Sequence, residues 1–268
     1  MQLAIGLVLA AGISTAAYAA GSLTRSGALA AVVVGTTVYG LGDWRAAIIL
    51  LAFFFTSSFW GKILQARGRR PEGAYSKGGK RDAGQVLGNG ATAALLLVIL
   101  EMLPGAAWPL LAFAGALAAV NADTWATELG ALAPKPPRLI THLRQTVPPG
   151  TSGGVTLAGT LSALLGALLI ASLSLVLLPG FSLAGGIAVA VGGLVGALLD
   201  SYLGATLQAM YRCTTEHVVT EQHPFHRCGA RTVHIRGWGW LNNDWVNFAC
   251  SVAGAAIACL VAAALGAI

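Results

Sequence analysis

Eight apolar runs govern what this chain can fold into: residues 2–20, 26–40, 43–61, 83–103, 105–130, 154–178, 181–209 and 244–267. A helix needs about 20 residues to cross the hydrocarbon core of a bilayer. Within the runs Ala, Leu, Gly and Val follow one another without the period-two alternation that a membrane β-barrel requires. The fold class is therefore all-α, a polytopic integral membrane helical bundle of about eight transmembrane or re-entrant segments, forming one domain over 1–268. A soluble reading fails on composition, since 56% of the residues are hydrophobic and only 10% charged, against about 25% charged in soluble domains. The run 26–40 is short, and by length alone it is either a full span or a re-entrant hairpin.

The charges favour a full span. Counting eight crossings, the connections after the first, third, fifth and seventh carry 15 of the 16 Lys and Arg residues, and only Arg45 falls on the other side. Removing the second run would scatter the basic residues over both faces. The positive-inside rule makes the basic face cytoplasmic and puts both termini outside. The net charge of +6 is thus read as orientation, not as nucleic-acid binding. Residues 1–20 end in a cleavage-like Ala17-Tyr18-Ala19, but no Lys or Arg precedes the run, as a signal peptide requires, so it is read as a retained first helix. The basic connections, about 62–82, 131–153 and 210–243, are long; the opposite ones are near-bare turns such as Leu103-Pro104-Gly105 and Pro179-Gly180.

Ionisable groups inside a membrane are costly and mark functional sites by default. Asp123 lies seven residues from the basic end of its run, ~10 Å deep at 1.5 Å per residue. Asp200 lies nine residues from the end of the seventh run, ~14 Å deep on the same rise. Asn89 is six residues into the fourth run, while Lys62, Asp82, Asn242, Asn243, Asp244 and Asn247 stand at the basic ends of theirs. These positions predict one cavity opening toward the basic face. Gly192, Gly196, Asp200, Gly204 and Gln208 recur every four residues, so the row of small residues that lets helices approach also carries an acid. Asp200 then faces protein, either as a structural ion-pair partner or as a ligand. Asn121, Thr124 and Glu128 share a helix stripe, with Asp123 roughly 140° from Glu128. Asp123 is thus expected to pair with a carboxylate from another helix, such as Asp200. Carboxylates and amides near water suit Mg²⁺, which completes its shell with water and substrate phosphates.

Two loops add anion chemistry. The connection 65–80 is rich in Lys and Arg; it reads as an orientation signal attracted to anionic headgroups, as a phosphate clamp, or as both. The stretch Val147-Pro-Pro-Gly-Thr-Ser-Gly-Gly154 precedes a helix, where glycine-rich backbone and the helix N-terminus favour anions. Its plainer reading is a turn in which Thr151 or Ser152 caps the helix. Thr24-Arg-Ser-Gly27 echoes it before the second run. The four cysteines show no secretory pairing pattern, and Cys250 and Cys259 read as small core residues.

Six stretches, in order, carry a resemblance: Ser57-Ser-Phe-Trp-Gly-Lys62, Lys80-Arg-Asp-Ala-Gly-Gln-Val-Leu-Gly-Asn-Gly90, Asn121-Ala-Asp-Thr-Trp-Ala-Thr-Glu128, Pro148-Pro-Gly-Thr-Ser-Gly-Gly154, Asp200-Ser-Tyr-Leu-Gly-Ala205 and Trp240-Leu-Asn-Asn-Asp-Trp-Val-Asn247. Together they resemble the integral membrane family that includes plant phytyl-phosphate kinase and animal transmembrane protein 19. The resemblance implies phosphorylation of an isoprenyl monophosphate to the diphosphate by a nucleoside triphosphate. A more distant similarity to CTP-using polyprenol kinases and lipid cytidylyltransferases favours CTP. It also implies a small zinc site formed by Cys-x-x-Cys and His-Cys-Gly in the last loop. Here Cys213, His226 and Cys228 remain, but Thr215 and Glu216 stand where a second cysteine is expected. Unpaired thiols are the expectation over zinc, with His217 or His223 as substitute ligands if a metal binds.

The expected enzyme is a magnesium-dependent isoprenyl-phosphate kinase at the cytoplasmic surface. Asp123 and Asp200 are the metal ligands and Glu128 is the base. Lys62, Lys80, Arg81, Asn89, Gly150, Thr151, Ser152, Gly153, Asn243 and Asp244 bind substrate and phosphate. The partners are a prenyl-phosphate lipid and membrane lipids; monomer and oligomer both stay open. Two alternatives are a lipid-phosphate nucleotidyltransferase and a carrier of a phosphorylated lipid or small anion. A carrier is disfavoured because alternating access places its site near the midplane.

Overall fold

The protein is described by a computed structural model covering residues 1–66 and 79–268. Arg67, Arg69, Arg70 and Lys77 of the basic connection lie outside the described residues. Among the described residues there are seven helices: α1 (Gln2–Ala19), α2 (Arg25–Ala66), α3 (Ala83–Met102), α4 (Trp108–Gly130), α5 (Leu157–Leu177), α6 (Leu183–Thr206) and α7 (Asn243–Ala264). The polytopic α-helical fold expected from the apolar runs is what forms.

The second and third runs make up α2, which is broken at Asp43 (φ 57°, ψ −169°). The Asp43 carboxylate accepts from the Arg45 amide at 2.6 Å and pairs with its guanidinium at 2.7 Å, which fixes the bend. The two limbs fold back on each other. The first runs antiparallel to α1, with Gly6 against Thr36 and Tyr39 and Gly40 against Leu3. The second returns Lys62 to donate to the Ala20 carbonyl at 3.4 Å. The first limb therefore extends as far as α1 does, as a span and not a re-entrant loop, and α2 continues through Lys62 where a loop was expected to begin.

Among the described residues six helices are long and apolar enough to cross a membrane, α2 counted once; α4, which carries Asn121, Asp123 and Glu128, is not among them. It is protected by position. Every residue from Leu111 to Ala122 is buried, and α2, α3, α5, α6 and α7 all pack on it. A helix buried on all sides needs no lipid-facing stripe. The row on α6 brings backbones together as expected: a Cβ on Gly192 would meet the Gly254 carbonyl of α7 at 2.5 Å, and one on Gly196 would meet Ala119 of α4 at 2.6 Å.

The basic connections hold two small antiparallel sheets, an addition to the all-helical expectation. One has the order β2-β1-β3, with β1 (Arg138–Leu139), β2 (His142–Thr146) and β3 (Gly154–Val155). The other has the order β5-β4-β6, with β4 (Met210–Cys213), β5 (Val219–Thr220) and β6 (Thr232–Arg236). Both lie at the end of the bundle where α4 and α6 finish and α5 and α7 begin.

Candidate active site

At that end a cavity of about 730 Å³ is walled by α2, α3, α4, α5, α6, α7 and both sheet-bearing loops. Of the residues expected from sequence, Asp123, Glu128, Asp200, Lys62, Lys80, Arg81, Asn89, Gly150, Thr151, Ser152, Gly153 and Asn243 all line it. Asp244 does not: its backbone is seated against Gly88 of α3, where a Cβ would meet the Asp244 carbonyl at 2.6 Å. The reason is local. Asn242 caps α7 by accepting from the Asp244 and Trp245 amides, and the helix then turns Asn243 and Asn247, four residues apart, toward the cavity.

The three deep polar groups share one level. α6 ends at Thr206, not near 209, so Asp200 stands six residues from its end, ~9 Å deep, beside Asp123 at seven and Asn89 at six. Asp200 lies within electrostatic reach of both Asp123 and Glu221. One carboxylate oxygen of Asp200 is buried and makes no hydrogen bond. Buried polar atoms are normally satisfied, and neighbouring carboxylates in a buried site repel unless a cation lies between them. This donor set, two acids with amides around them at a cavity opening onto the basic face, fits a hard divalent cation.

Each wall is fixed by contacts that the chain makes elsewhere. Arg81 is held by its backbone: its amide donates to Ser22 and its carbonyl accepts from Thr24, at 3.0 and 2.9 Å. Gly27 allows this, since a Cβ there would overlap the Arg81 carbonyl. The Thr24-Arg-Ser-Gly27 echo is thus a cap, with Thr24 accepting from the Gly27 amide at 3.1 Å, and a seat for Arg81. The Arg81 guanidinium lies over the Phe53 and Phe54 rings, 5.7 and 5.6 Å from their centroids. Asp82 is committed to a capping box with Gln85 at the start of α3.

The loop 147–154 is shaped differently from either sequence reading. β3 separates it from α5, whose cap is Thr156, accepting from the Gly159 amide at 2.9 Å. Thr151 and Ser152 do not cap a helix. The Thr151 hydroxyl donates to the Pro148 carbonyl at 2.7 Å and the Ser152 hydroxyl to the Gln208 side chain at 2.8 Å. Gly153, with φ +82°, lies where a Cβ would meet Ala205 at 2.5 Å. Gln208 then donates to Glu221 at 2.8 Å. The Arg236 guanidinium donates to the terminal α6 carbonyls of Gly204 and Ala205, a cation at a helix C-terminus.

Sequence reasoning missed Glu221, Gln85, Ser57 and Thr127, which also line the cavity, while Asn247, expected at the basic end of its run, lines it as well. The amides and hydroxyls at helix ends carried a weak signal in their depth; Glu221, in a loop folded back over the site, carried none. Asn121 is the converse. It is fully buried outside the cavity, its amide donating to the Gly166 carbonyl at 2.8 Å and its oxygen 3.2 Å from the Thr56 hydroxyl. It joins α4 to α5 and α2, so the shared stripe with Thr124 and Glu128 divides between packing and cavity.

A second donor cluster stands apart, in the last loop. Cys213, His226 and Cys228 bring their ligand atoms within 4.8 Å of one another. The Cys213 and Cys228 sulfurs are 3.5 Å apart, His226 Nδ1 is 3.3 Å from the Cys228 sulfur, and a Glu216 carboxylate oxygen is 3.6 Å from the same nitrogen. Zinc bonds of 2.0–2.3 Å require tetrahedron edges of roughly 3.3–3.8 Å, and these spacings fit. The Glu216 amide, donating to the Cys213 sulfur at 3.4 Å, holds that thiol below its ordinary value. Cys228 is pushed above its ordinary value: the Ala230 amide pulls it down, but desolvation and the adjacent Cys213 outweigh that pull. Neither His217 nor His223 joins the cluster, and His223 stacks on Tyr211 instead. Glu216, at the position of the expected cysteine, sets its carboxylate against His226 and stands outside the three-ligand group, so the loop presents three donors of the expected zinc set and the thiols are free.

Residues 8–255 match the family described as integral membrane protein DUF92. The chain is 33% identical to Protein PGR of Arabidopsis thaliana, over 92% of this chain and 91% of that one. It is 32% identical to an uncharacterised membrane protein of Methanocaldococcus jannaschii, over 73% of this chain and 79% of that one. It is 28% identical to another from Synechocystis, over 84% and 77%. No solved structure matches it.

Proposed function

The chain belongs to the DUF92 family of integral membrane proteins, and on that premise we propose that it is a lipid-phosphate kinase converting an isoprenyl monophosphate to the diphosphate. The observation that carries this reading is the cavity: Asp123 and Asp200 inside it, with Lys62, Lys80 and Arg81 around it. The resemblance of the six motifs to the phytyl-phosphate kinase family supports the substrate class, and the basic connections support a cytoplasmic face.

In this reading a non-bridging oxygen of the lipid monophosphate attacks the terminal phosphorus of a nucleoside triphosphate. The bond to the bridging oxygen breaks, and the products are lipid diphosphate and nucleoside diphosphate. Such transfer depends mainly on positioning and charge stabilisation. Asp123 and Asp200 would hold the cation, with Asn89 and Asn247 lining the same cavity; when bound, Mg²⁺ would supply neutralisation of phosphate charge. Lys62, Lys80 and Arg81 hold the remaining negative charge, and the 148–154 loop bounds the nucleotide's phosphates. Glu128, one turn nearer the basic face than Asp123, accepts any proton left on the attacking monophosphate.

Purified protein in detergent, incubated with Mg²⁺, radiolabelled CTP or ATP and prenyl monophosphates, tests the proposal. Labelled prenyl diphosphate is expected. Nucleotide monophosphate joined to the lipid would reveal a nucleotidyltransferase. No turnover in detergent, with transport in sealed vesicles, would identify a carrier.

A further inference from the structure

A second cavity, of about 250 Å³, lies between α1, both limbs of α2, and α3. Its walls are apolar, from Ala10 and Ile13 of α1 to Val34, Leu50 and Phe54 of α2 and Val86 of α3. Ser14 and Tyr39 add hydroxyls along its length, and Arg81, Gln85 and Asn89 complete it and also line the polar cavity. The two spaces therefore meet at a threshold where the Arg81 cation rests on Phe53 and Phe54.

The apolar space follows α1 from Ala17 to Gly6, eleven residues or ~16 Å, about half the thickness of a bilayer core. It also opens sideways. Leu9, Ile13 and Ile48 line it and are exposed on the outer surface of the bundle. α1 packs chiefly on α2, so this wall is the least enclosed part of the bundle. An apolar slot of one leaflet's depth, reachable from the bilayer and ending at a cation beside a polar cavity, matches an amphiphile with one apolar chain and an anionic head.

We infer that this slot is the tail subsite, holding the single hydrocarbon chain of a lipid monophosphate whose phosphate passes Arg81 into the polar cavity. The inference rests on the kinase reading for its choice of phosphate head, and it adds where the chain lies and what limits its length. Ala47, on the second limb and lining the slot, is half-buried and small, so a larger side chain there shortens the space without touching the polar cavity.

The test uses full-length protein in nanodiscs, without nucleotide, and a farnesyl monophosphate carrying a diazirine at the tail end. After irradiation, peptide mapping is expected to find adducts within 6–17 and 44–54, competed by unlabelled farnesyl monophosphate and not by two-chained phosphatidic acid. Ala47→Phe is expected to weaken farnesyl monophosphate binding at least about tenfold while leaving dimethylallyl monophosphate binding unchanged. Ala31→Leu, on the opposite wall, serves if that variant does not fold. Adducts on α4 to α7, equal competition by phosphatidic acid, or equal loss for short and long chains would each overturn the subsite. Adducts in the slot without phosphorylation on adding nucleotide would uphold the subsite and reject the kinase. Phosphorylation with adducts elsewhere would do the reverse.

Discussion

The Ser152 hydroxyl donates a 2.8 Å hydrogen bond to the side-chain carbonyl of Gln208, tying the loop 147–154 to the end of α6. Gln208 is almost fully buried, and its amide continues the line to Glu221. The loop 147–154 is thus held by the segment that directly follows the helix carrying Asp200. Gln208→Leu leaves the Ser152 and Glu221 groups without their partner, at about 1–3 kcal/mol each. A lower melting temperature and a raised KM for nucleotide are expected, measured by thermal unfolding and initial rates. An unchanged melting temperature would remove the coupling.

Asp123→Asn and Asp200→Asn are expected to lower kcat by at least about a hundredfold while leaving a folded bundle. The stability readout differs from the activity readout. Without Mg²⁺, Asp200→Asn raises the melting temperature, since it removes one of two neighbouring buried charges. With Mg²⁺, the wild type gains stability by ligand linkage and the variants do not. Thermal shift across a magnesium titration checks both arms. Full activity in Asp123→Asn would end the metal role for that residue.

Asn121 should behave in the opposite way. Asn121→Ala removes the buried contacts to Gly166 and Thr56, at a cost of about 1–3 kcal/mol. Protein that survives extraction should bind substrate with wild-type affinity, because the residue lies outside the cavity. A substrate-binding defect larger than the stability loss would contradict this placement.

The last-loop cluster is expected to hold one zinc per chain, measured by elemental analysis of protein purified without chelator. Cys213→Ser should abolish it, and Glu216→Ala should weaken affinity by about tenfold or more. The Cys213 thiol is lowered in the folded state, so its stabilising contribution is present above the ordinary thiol range. That contribution is lost as pH falls through the lowered value. Zinc release should accordingly occur on acidification and not on raising the pH. Metal content unchanged in Cys213→Ser would refute the site, as would a Cys213–Cys228 disulfide in freshly purified protein.

Hydropathy, run length and the placement of Lys and Arg are one-dimensional quantities that a bilayer reads directly, so the chain alone determined the apolar helices and the end of the bundle that gathers the basic residues. Depth follows from the same count, and Asp123, Asn89 and Asp200 could be set near one level before any coordinates, though the three extra residues given to α6 put Asp200 too deep. Which way each helix faces depends on close backbone packing between distant residues, such as Gly192 on Gly254 and Gly196 on Ala119. That packing turned Asn121 into the bundle, left Asp244 against α3, and brought Asp123 and Asp200 onto one cavity. The loops depended still more on the third dimension. Glu221 reaches the site, and His226 and Cys228 reach Cys213, only because β4 and its neighbours fold the chain back on itself, a pairing that no local periodicity encodes.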